Sequence, residues 1–404
     1  MVDKNYMISD LHIHSRFSRA CSKNIDFPNL VKWAKIKGLH LLGTGDFTHP
    51  IWFEEIKKLK GKKGFYYYND FPFIITGEIS LMYTQDKGRR IHLVLLVPNI
   101  KIAKKINSYL DTKGRRDYDG RPIFGMPCDK FVKDMMNISK DIEIIPAHAW
   151  TPWFGVYGSN SGFDSLKECF KEEFEHIHAI ETGMSSDPEM NWRIKELECK
   201  SIVSFSDAHS FWPFRIGREA TIFKKCDSYS ELIRQIREND FISTIETNPA
   251  YGKYHWDGHR NCEFSCEPEK TKELKGICPK CGKNLTIGVE YRVDNLSNIK
   301  SNHKIKKPYY TLLPLHEIIS LFLKVNMNSK KVWGLYNSLI EEFKNEFNIL
   351  LYVSKEEFLE KDVGTKLIDL ILKNREGKIN IKPGFDGEYG EAVVGNQDKQ
   401  KTLF

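Results

Sequence analysis

The sequence predicts an α/β fold: a distorted TIM-like (β/α)7 barrel joined to a small zinc-ribbon domain and a C-terminal helical domain. Three observations support this. Short β-branched apolar runs alternate with helical stretches as far as residue 245, four cysteines cluster between residues 262 and 281, and helical patterns follow residue 315. We therefore expect a barrel in residues 1–245, a zinc-binding domain in 246–300 and a helical domain in 301–404.

Seven segments of the first domain have the apolar composition of buried strands in a parallel sheet. They are residues 7–14, 39–43, 73–80, 91–97, 143–147, 177–181 and 201–206. Residues 28–38 begin with proline, carry apolar residues at helical spacing and end in glycine, which predicts a helix, and residues 228–239 look similar. Later helices are expected at 315–323, 331–347 and 355–372.

Metal-ligand side chains stand at or near the ends of several predicted strands. They are His12, His14, Asp46, Glu78, His92, His148, Asp207 and His209. A single His-x-His pair would mean little, and a lone core histidine such as His92 is more often structural. The number of such residues matters because the carboxyl ends of barrel strands converge on one face. We therefore expect one multinuclear metal site, and Asp10 is interpreted as a structural anchor or a partner of the histidines.

These ligand types indicate a particular chemistry. Histidine and carboxylate ligands without cysteine suit zinc, manganese or iron in an open catalytic site. A carboxylate such as Glu78 can bridge two ions, and closely spaced ions activate water and hold phosphoryl oxygens. The predicted reaction is phosphoester cleavage with two or three divalent ions, Zn²⁺, Mn²⁺ or Mg²⁺.

The clustered cysteines have the spacing of a structural zinc site. Cys262, Cys266, Cys278 and Cys281 form two pairs, and the second pair has the Cys-x-x-Cys-Gly form of a zinc knuckle. The other five cysteines are scattered and are interpreted as free thiols. We expect a four-cysteine zinc ribbon, which by itself does not specify a partner.

Composition narrows the class of protein. The chain has 404 residues, 41% of them hydrophobic and 28% charged, as in ordinary soluble domains. No apolar stretch approaches the roughly 20 residues that span a bilayer, and the first residues lack a secretory signal, so we expect a cytoplasmic protein without a membrane partner. The net charge of +7 is only a weak hint of a polyanionic partner.

The order of the metal-ligand residues resembles the PHP (polymerase and histidinol phosphatase) superfamily. The resemblance implies a first ion held by His12, His14, Glu78 and Asp207, and a second held by Glu78, His92 and His148. It places a third ion at Asp46 and His209, and gives Asp207, Asp46 and Glu78 catalytic roles. The chain departs from many relatives in having Thr44-Gly45-Asp46 instead of Thr-Asp-His, and His49 could supply the missing ligand.

A closer resemblance comes from the segments around the cysteines. Residues 252–260, which lead into the ribbon, and residues 307–319 together with the predicted barrel resemble endonuclease Q. The resemblance implies a damaged-DNA substrate, cut on the 5′ side of a deaminated base (uracil, hypoxanthine or xanthine) or of an abasic site. It implies 3′-hydroxyl and 5′-phosphate products.

Acting on such a lesion usually requires extruding the nucleotide into a pocket. The candidate substrate-binding residues lie in loops 181–193 and 150–162 and in the basic stretch before the cysteines. They are Ser185, Ser186, Asn191, Tyr157, Asn160, Ser161, Lys253, His259 and Arg260. The alternative is that both loops merely cap the barrel and that the basic stretch is solvated.

Two other functions remain open. A small-molecule phosphoesterase of the histidinol-phosphate phosphatase type would use the same metals but has no evident need for residues 246–404. A PHP module that binds nucleic acid without metal would have no need of all eight ligands. A sliding clamp is a candidate partner, although no clear clamp-binding motif is found, and we expect a monomer.

Overall fold

The computed structural model describes residues 5–297 and 306–393. The polar run predicted at 295–307 lies mostly outside this part, as does the tail beyond residue 395. In the described part the chain forms seventeen strands: β1 Tyr6–Asp10, β2 Leu41–Gly43, β3 Lys60–Lys62, β4 Phe65–Tyr68, β5 Phe71–Gln85, β6 Lys87–Val97, β7 Ile123–Phe124, β8 Glu143–Pro146, β9 Ala179–Glu181, β10 Ser201–Val203, β11 Ala220–Lys224, β12 Ser243–Glu246, β13 Asp257–His259, β14 Phe264–Cys266, β15 Tyr309–Thr311, β16 Asn380–Lys382 and β17 Glu391–Val393.

The same residues form fourteen α-helices: α1 Phe27–Lys37, α2 Pro50–Ile56, α3 Ile100–Asp111, α4 Cys128–Ile138, α5 Leu166–Phe170, α6 Pro188–Asn191, α7 Tyr229–Arg237, α8 Pro268–Glu273, α9 Val289–Leu296, α10 Leu315–Leu323, α11 Lys330–Phe343, α12 Glu346–Leu351, α13 Lys355–Glu360 and α14 Thr365–Arg375. Short 3-10 helices cover Lys171–His176, Lys195–Leu197, Pro249–Tyr251 and Arg260–Cys262. Helix α1 confirms the prediction for residues 28–38: Asp26 caps its first turn and Gly38 ends it at φ 95°.

Eleven strands form one mixed sheet. Strands β1, β2 and β5 run parallel, but β11 pairs with β1 in the antiparallel sense. Strands β5 and β6 are also antiparallel because a tight hairpin at Asp86 (φ 61°) joins them directly. The predicted all-parallel sheet is therefore wrong at these strands, although the mixed α/β class is correct.

Strands β8, β9 and β10 complete the enclosure of the predicted metal-ligand residues. Strand β8 is antiparallel to β6, while β9 and β10 form a parallel pair of their own. The backbone N–H of Ala149 donates to the carbonyl of Glu181, which connects the end of β8 to β9. Beyond β10, Asp10 accepts hydrogen bonds from the backbone N–H and hydroxyl of Ser206 and from Gly217 N–H, so Asp10 is the structural anchor of this junction.

The C-terminal segments pack against the same sheet. Strand β15 is parallel to β12 and extends the main sheet, and a buried ion pair joins Lys37 Nζ to Glu346 at 2.7 Å. Helix α10 confirms the helix predicted at 315–323, but the next two predicted helices are each split into a pair. Asn345 caps α12 through its side chain and so interrupts the first of them. The proposed domain boundaries stay predictions. Among the described residues, no helix is long and apolar enough to cross a membrane.

Candidate active site

Five segments of the chain deliver six of the predicted metal ligands to one place. His12 and His14 follow β1, His148 follows β8 and Asp207 follows β10, as expected of residues beyond strand ends. Glu78 and His92 are different, because both lie inside long strands of the β5–β6 hairpin. The antiparallel register pairs Ser80 with His92 and thereby brings the ring diagonally opposite Glu78.

The buried Glu78 carboxylate lies between two groups of histidines. Its Oε2 atom lies 3.3 Å from His14 Nε2 and 3.7 Å from His12 Nε2. Its Oε1 atom lies 2.7 Å from His92 Nδ1 and 3.2 Å from His148 Nε2. Each carboxylate oxygen thus faces a different group, which is the arrangement of a carboxylate able to bridge two ions.

The ligand atoms form two compact sets. His12, His14, Glu78 and Asp207 make one set, and Glu78, His92 and His148 make the other, with all ligand atoms in each set within 4.8 Å of one another. His12 Nε2 is buried without a hydrogen-bond partner among the described residues, although its other nitrogen is bonded. An unpartnered ring nitrogen pointing into such a set fits a divalent cation.

Buried acceptors hold the histidine rings in place. His12 Nδ1 donates to Glu181 at 2.9 Å, and His14 Nδ1 donates to Asp46 Oδ1 at the same distance. The second oxygen of Glu181 accepts from the backbone N–H of His148 at 2.8 Å. With Nδ1 protonated, Nε2 of both rings faces the shared ligand set, where His14 Nε2 lies 2.9 Å from Asp207 Oδ1.

The third predicted ion has no compact ligand group in the described residues. The Asp46 carboxylate already accepts four hydrogen bonds within the protein. The donors are His14 Nδ1, the backbone N–H and hydroxyl of Ser15, and the hydroxyl of Ser18. His209 Nδ1 bonds instead to the carbonyl of Asp207 at 2.8 Å. His49 stacks on Phe17, with ring centroids 4.1 Å apart. The Asp46 carboxylate therefore orients the His14 ring, and its assignment as a metal ligand stays a prediction.

Three residues of the site have strained backbones. Asp46, His148 and Asp207 lie in the left-handed region at φ 45°, 32° and 49°. Such conformations cost of order 1 kcal/mol or more in non-glycine residues and cluster at functional sites. Gly183 permits the turn at His148, since a Cβ there would lie 2.4 Å from the Cβ of His148. These backbones turn the side chains toward the shared centre.

Charge and burial set the protonation of the site. Burial by itself would raise the pKa of Glu78, but His92 and Arg121 hold that pKa well below its usual value. Burial lowers the pKa of His92 to about 4, against the opposing effect of Glu78. The carboxylate is therefore ionised and the His92 ring neutral at pH 7. Burial would lower the pKa of His12, His14 and His148 as well, but the neighbouring carboxylates raise the pKa of these three rings in the absence of a metal ion.

Sequence reasoning missed Arg121 and gave Glu181 no role. Arg121 Nη1 donates to Glu78 Oε2 at 3.0 Å from a loop with no recognisable motif. The one signal for this loop is Gly120, at which a Cβ would lie 2.1 Å from Asp46 Oδ2. Glu181 was visible only as a charged residue at the end of an apolar strand.

A cleft of about 680 Å³ opens beside Asp207 and His209. Its other walls include Cys21, Gly183, Met184, Arg215, Arg218 and Tyr389. A second cavity of about 430 Å³ shares Met184, both arginines and Tyr389 with the cleft and continues to Tyr251 and Leu321. The two spaces are therefore neighbours with a common wall, and the second is large enough for a small planar ligand.

The structure changes the interpretation of the candidate base-reading residues. Asn191 is fully buried: its Oδ1 accepts from Trp150 Nε1 at 2.7 Å and its amide donates to Ser186 Oγ. The Ser185 hydroxyl donates to the carbonyl of Thr182, as does that of Ser186. These hydrogen bonds hold the loop together, and a role of the three side chains in base recognition stays a prediction.

Side chains of the second predicted loop, residues 150–162, also make hydrogen bonds and ring contacts within the protein. Tyr157 is buried, stacks on Trp150 and donates to Glu196 Oε1. Ser161 is buried and bonds to Phe154 N–H, whereas Asn160 is exposed. In the basic stretch, Lys253 and Arg260 are exposed, with Lys253 Nζ 4.5 Å from the centre of the Tyr389 ring.

The cysteine cluster forms with one change of ligand. The structure gathers His259, Cys262, Cys278 and Cys281, with His259 Nδ1 3.3 Å from Cys281 Sγ. Cys266 lies outside this group because the β13–β14 register pairs it with Asp257, two residues along from His259, and its Sγ bonds to Thr271. The donors of this group suit zinc, while the four-cysteine set and the DNA contact of His259 stay predictions.

Comparisons with known proteins agree with this architecture. Residues 314–378 match the family model of the MJ0043 C-terminal domain. The uncharacterized protein MJ0043 of Methanocaldococcus jannaschii is 34% identical over 251 residues, 60% of this chain and 31% of that protein, so the chain spans about a third of that relative. YqxK of Bacillus subtilis is 27% identical over 408 residues, 95% of this chain and 98% of that protein.

Two solved structures match nearly the whole chain. The lesion-specific endonuclease PfuEndoQ of Pyrococcus furiosus has a TM-score of 0.87 and 31% identity, covering 96% of this chain and 95% of its own. An endonuclease Q complex with a 27-mer duplex bearing an abasic lesion has a TM-score of 0.86 and 32% identity, covering 96% and 97%. Both matched proteins are endonucleases. The chain belongs to the endonuclease Q family.

Proposed function

We propose that this protein is a metal-dependent DNA endonuclease that cuts the phosphodiester 5′ of deaminated bases and abasic sites. The observation that carries the proposal is the position of the Glu78 carboxylate between two histidine groups, in a site whose Asp207 lines an open cleft. Support comes from the fold, which matches an endonuclease Q bound to a duplex with an abasic lesion.

The two ligand sets have donors suited to divalent ions. His12, His14 and Asp207 would hold one ion, His92 and His148 the other, and Glu78 both. Such ions would lower the pKa of a water molecule and neutralise charge that develops on the phosphoryl oxygens. Glu181 fixes the orientation of the His12 ring and Asp46 that of the His14 ring, each through Nδ1. The Nε2 atoms of these two rings therefore face the ion site without a ring rotation.

A place for an extruded base lies next to the cleft. The second cavity offers the rings of Tyr251 and Tyr389, an apolar wall at Leu321, and polar groups on Arg218 and Glu317. Arg218 and Glu317 are paired at 2.7 Å, so the polar edge of this cavity is fixed in advance. We assign the base to this cavity because the side chains of Ser185, Ser186 and Asn191 already form hydrogen bonds within their own loop.

The remaining assignments follow from exposure and donor type. Lys253, Arg260 and Asn160 are exposed and remain candidates for contact with the DNA backbone. The His259 and cysteine group would hold a structural zinc that stabilises residues between β13 and α9. A cytoplasmic location, a monomeric state and a sliding-clamp partner stay predictions.

The direct test is incubation of purified protein with an end-labelled duplex containing one deoxyuridine or one abasic site, with Mg²⁺ or Mn²⁺ added. The proposal expects a single cut on the 5′ side of the lesion that leaves 3′-hydroxyl and 5′-phosphate ends. An undamaged duplex and a reaction with EDTA are the controls. Hydrolysis of a small phosphomonoester with no cut in any duplex would favour a small-molecule phosphoesterase instead.

A further inference from the structure

Arg121 lies at the centre of the site without being one of its ligands. Its Nη1 atom donates to Glu78 Oε2 at 3.0 Å, and about a quarter (23%) of the side chain is exposed. Glu78 is fully covered, whereas the guanidinium that contacts it is partly exposed to solvent. It approaches the oxygen of Glu78 that faces His12 and His14.

The backbone on both sides of Arg121 is firmly held. The N–H of Gly120 donates to the carbonyl of Phe17, and the carbonyl of Pro122 accepts from Ser80 N–H in β5, both at 3.1 Å. Gly120 is also in tight contact with Asp46, where a side chain would not fit. The loop thus presents Arg121 from a fixed point, as a positioned catalytic group requires.

The guanidinium has donors to spare. Arginine carries five N–H donors, and among the described residues only Nη1 of Arg121 has an acceptor, so Nε and Nη2 are free. Two other arginines of the same loop are differently placed: Arg115 is exposed and paired with Asp117, and Arg116 is paired with Asp111. A guanidinium is charged at any physiological pH, so the free donors carry positive charge.

We propose that Arg121 contacts the phosphate that is cut, donating from Nε and Nη2 to its non-bridging oxygens while Nη1 stays on Glu78. A planar guanidinium suits a phosphate because two parallel N–H groups match two oxygens. This inference rests on the proposed endonuclease function. It makes Arg121 a catalytic residue that holds the phosphate beside the ligand sets even when no metal is bound.

The test measures DNA binding without cleavage. Wild type, Arg121→Gln and Arg121→Lys are titrated in EDTA against a fluorescent duplex with one abasic site, at several salt concentrations. Arg115→Gln is the matched control, since it removes an equal charge from the exposed part of the same loop. A lost phosphate contact lowers the slope of log K against log salt by about 0.9 and weakens binding about tenfold.

The expected result is a reduced slope for Arg121→Gln alone, with Arg121→Lys keeping the slope but losing about 100-fold in the rate with Mg²⁺. An unchanged slope in Arg121→Gln, or an equal change in Arg115→Gln, overturns the assignment. If Arg121→Gln does not fold, the separation of slope and rate in Arg121→Lys decides. Absence of lesion cleavage by the wild type would refute the proposed function itself, which is a distinguishable outcome.

Discussion

The Nδ1 atom of His12 lies 2.9 Å from Oε1 of Glu181, and the other oxygen of that carboxylate accepts from the backbone N–H of His148. One buried side chain therefore orients a ligand of each metal set. The two sets also share Glu78 as a ligand. They are therefore connected by Glu78 on the metal-facing side of the rings and by Glu181 on the opposite side.

Replacing Glu181 with glutamine should weaken metal binding at both sets. The amide replaces one acceptor oxygen by an NH2 group, so the His12 ring and the His148 backbone must share the remaining oxygen and the shorter His12 contact is lost or turned into a clash of two donors. We expect a 10- to 100-fold loss of Mn²⁺ affinity, measured by titration calorimetry of the metal-free protein. Glu143→Gln is the control, because Glu143 is equally buried and pairs with His178 away from the site. Equal losses in both variants would contradict the assignment.

Removing a ligand should separate cleavage from DNA binding. Asp207→Ala and His12→Ala each remove a donor from the first set but little of the surface that lines the cleft. We expect cleavage to fall by at least about 100-fold while fluorescence anisotropy shows duplex binding in EDTA within about threefold of wild type. Asp227→Ala, an exposed carboxylate paired with Lys63, should leave both unchanged. Full activity in either ligand variant would remove that residue from the mechanism.

The zinc ligands can be identified by two single substitutions. His259→Ala should release one equivalent of zinc and lower the melting temperature, since structural zinc contributes directly to folding. Cys266→Ser should keep the zinc, because that thiol bonds to Thr271 and lies outside the group. Metal analysis by mass spectrometry distinguishes them. Zinc lost from Cys266→Ser and kept in His259→Ala would restore the four-cysteine set.

A buried carboxyl should make stability depend on pH. Burial raises the pKa of Glu246 from 4.5 to about 8, so the folded protein binds a proton that the unfolded chain releases. Its stabilising contribution is complete below pH 4.5 and is lost as pH rises through the folded value, by up to about 1.4 kcal/mol per pH unit. Glu246→Gln should flatten this dependence between pH 5 and 8 in denaturant titrations. The exposed control Glu360→Gln should follow wild type; parallel curves for all three would contradict the shift.

Sequence reasoning located most of the site because its ligands are marked by residue type. His12, His14 and His148 follow apolar runs, and the superfamily order then indicated which residues group together. It could not show the histidine contact of Asp46, whose carboxylate looks the same in sequence whether it binds an ion or a histidine ring. The difference lies in the hydroxyls of Ser15 and Ser18, which converge on Asp46 only in three dimensions.

The fold was predictable where local rules decide it. Helix α1 has a capping residue, a proline and a terminal glycine at the expected places. Strand direction was not predictable in the same way, since the β5–β6 hairpin turns at Asp86 without the usual glycine pair. Strand β11 was missed because a five-residue apolar run does not indicate which strand it pairs with. Its partner is β1, more than two hundred residues earlier in the chain.

Base recognition can be tested at Tyr389, which is 51% exposed and lines both the cleft and the second cavity. If an extruded base stacks there, Tyr389→Ala should slow incision at uracil about tenfold and incision at an abasic site much less, since no base is present to stack. Stacking of a base on an aromatic ring contributes about 1–3 kcal/mol, which sets this magnitude. The measurement is the ratio of single-turnover rates on the two duplexes, with Tyr310→Ala as an exposed aromatic control on the edge strand β15. Equal losses on both substrates would mean that Tyr389 supports the DNA backbone or the fold, and would exclude this cavity as the base pocket.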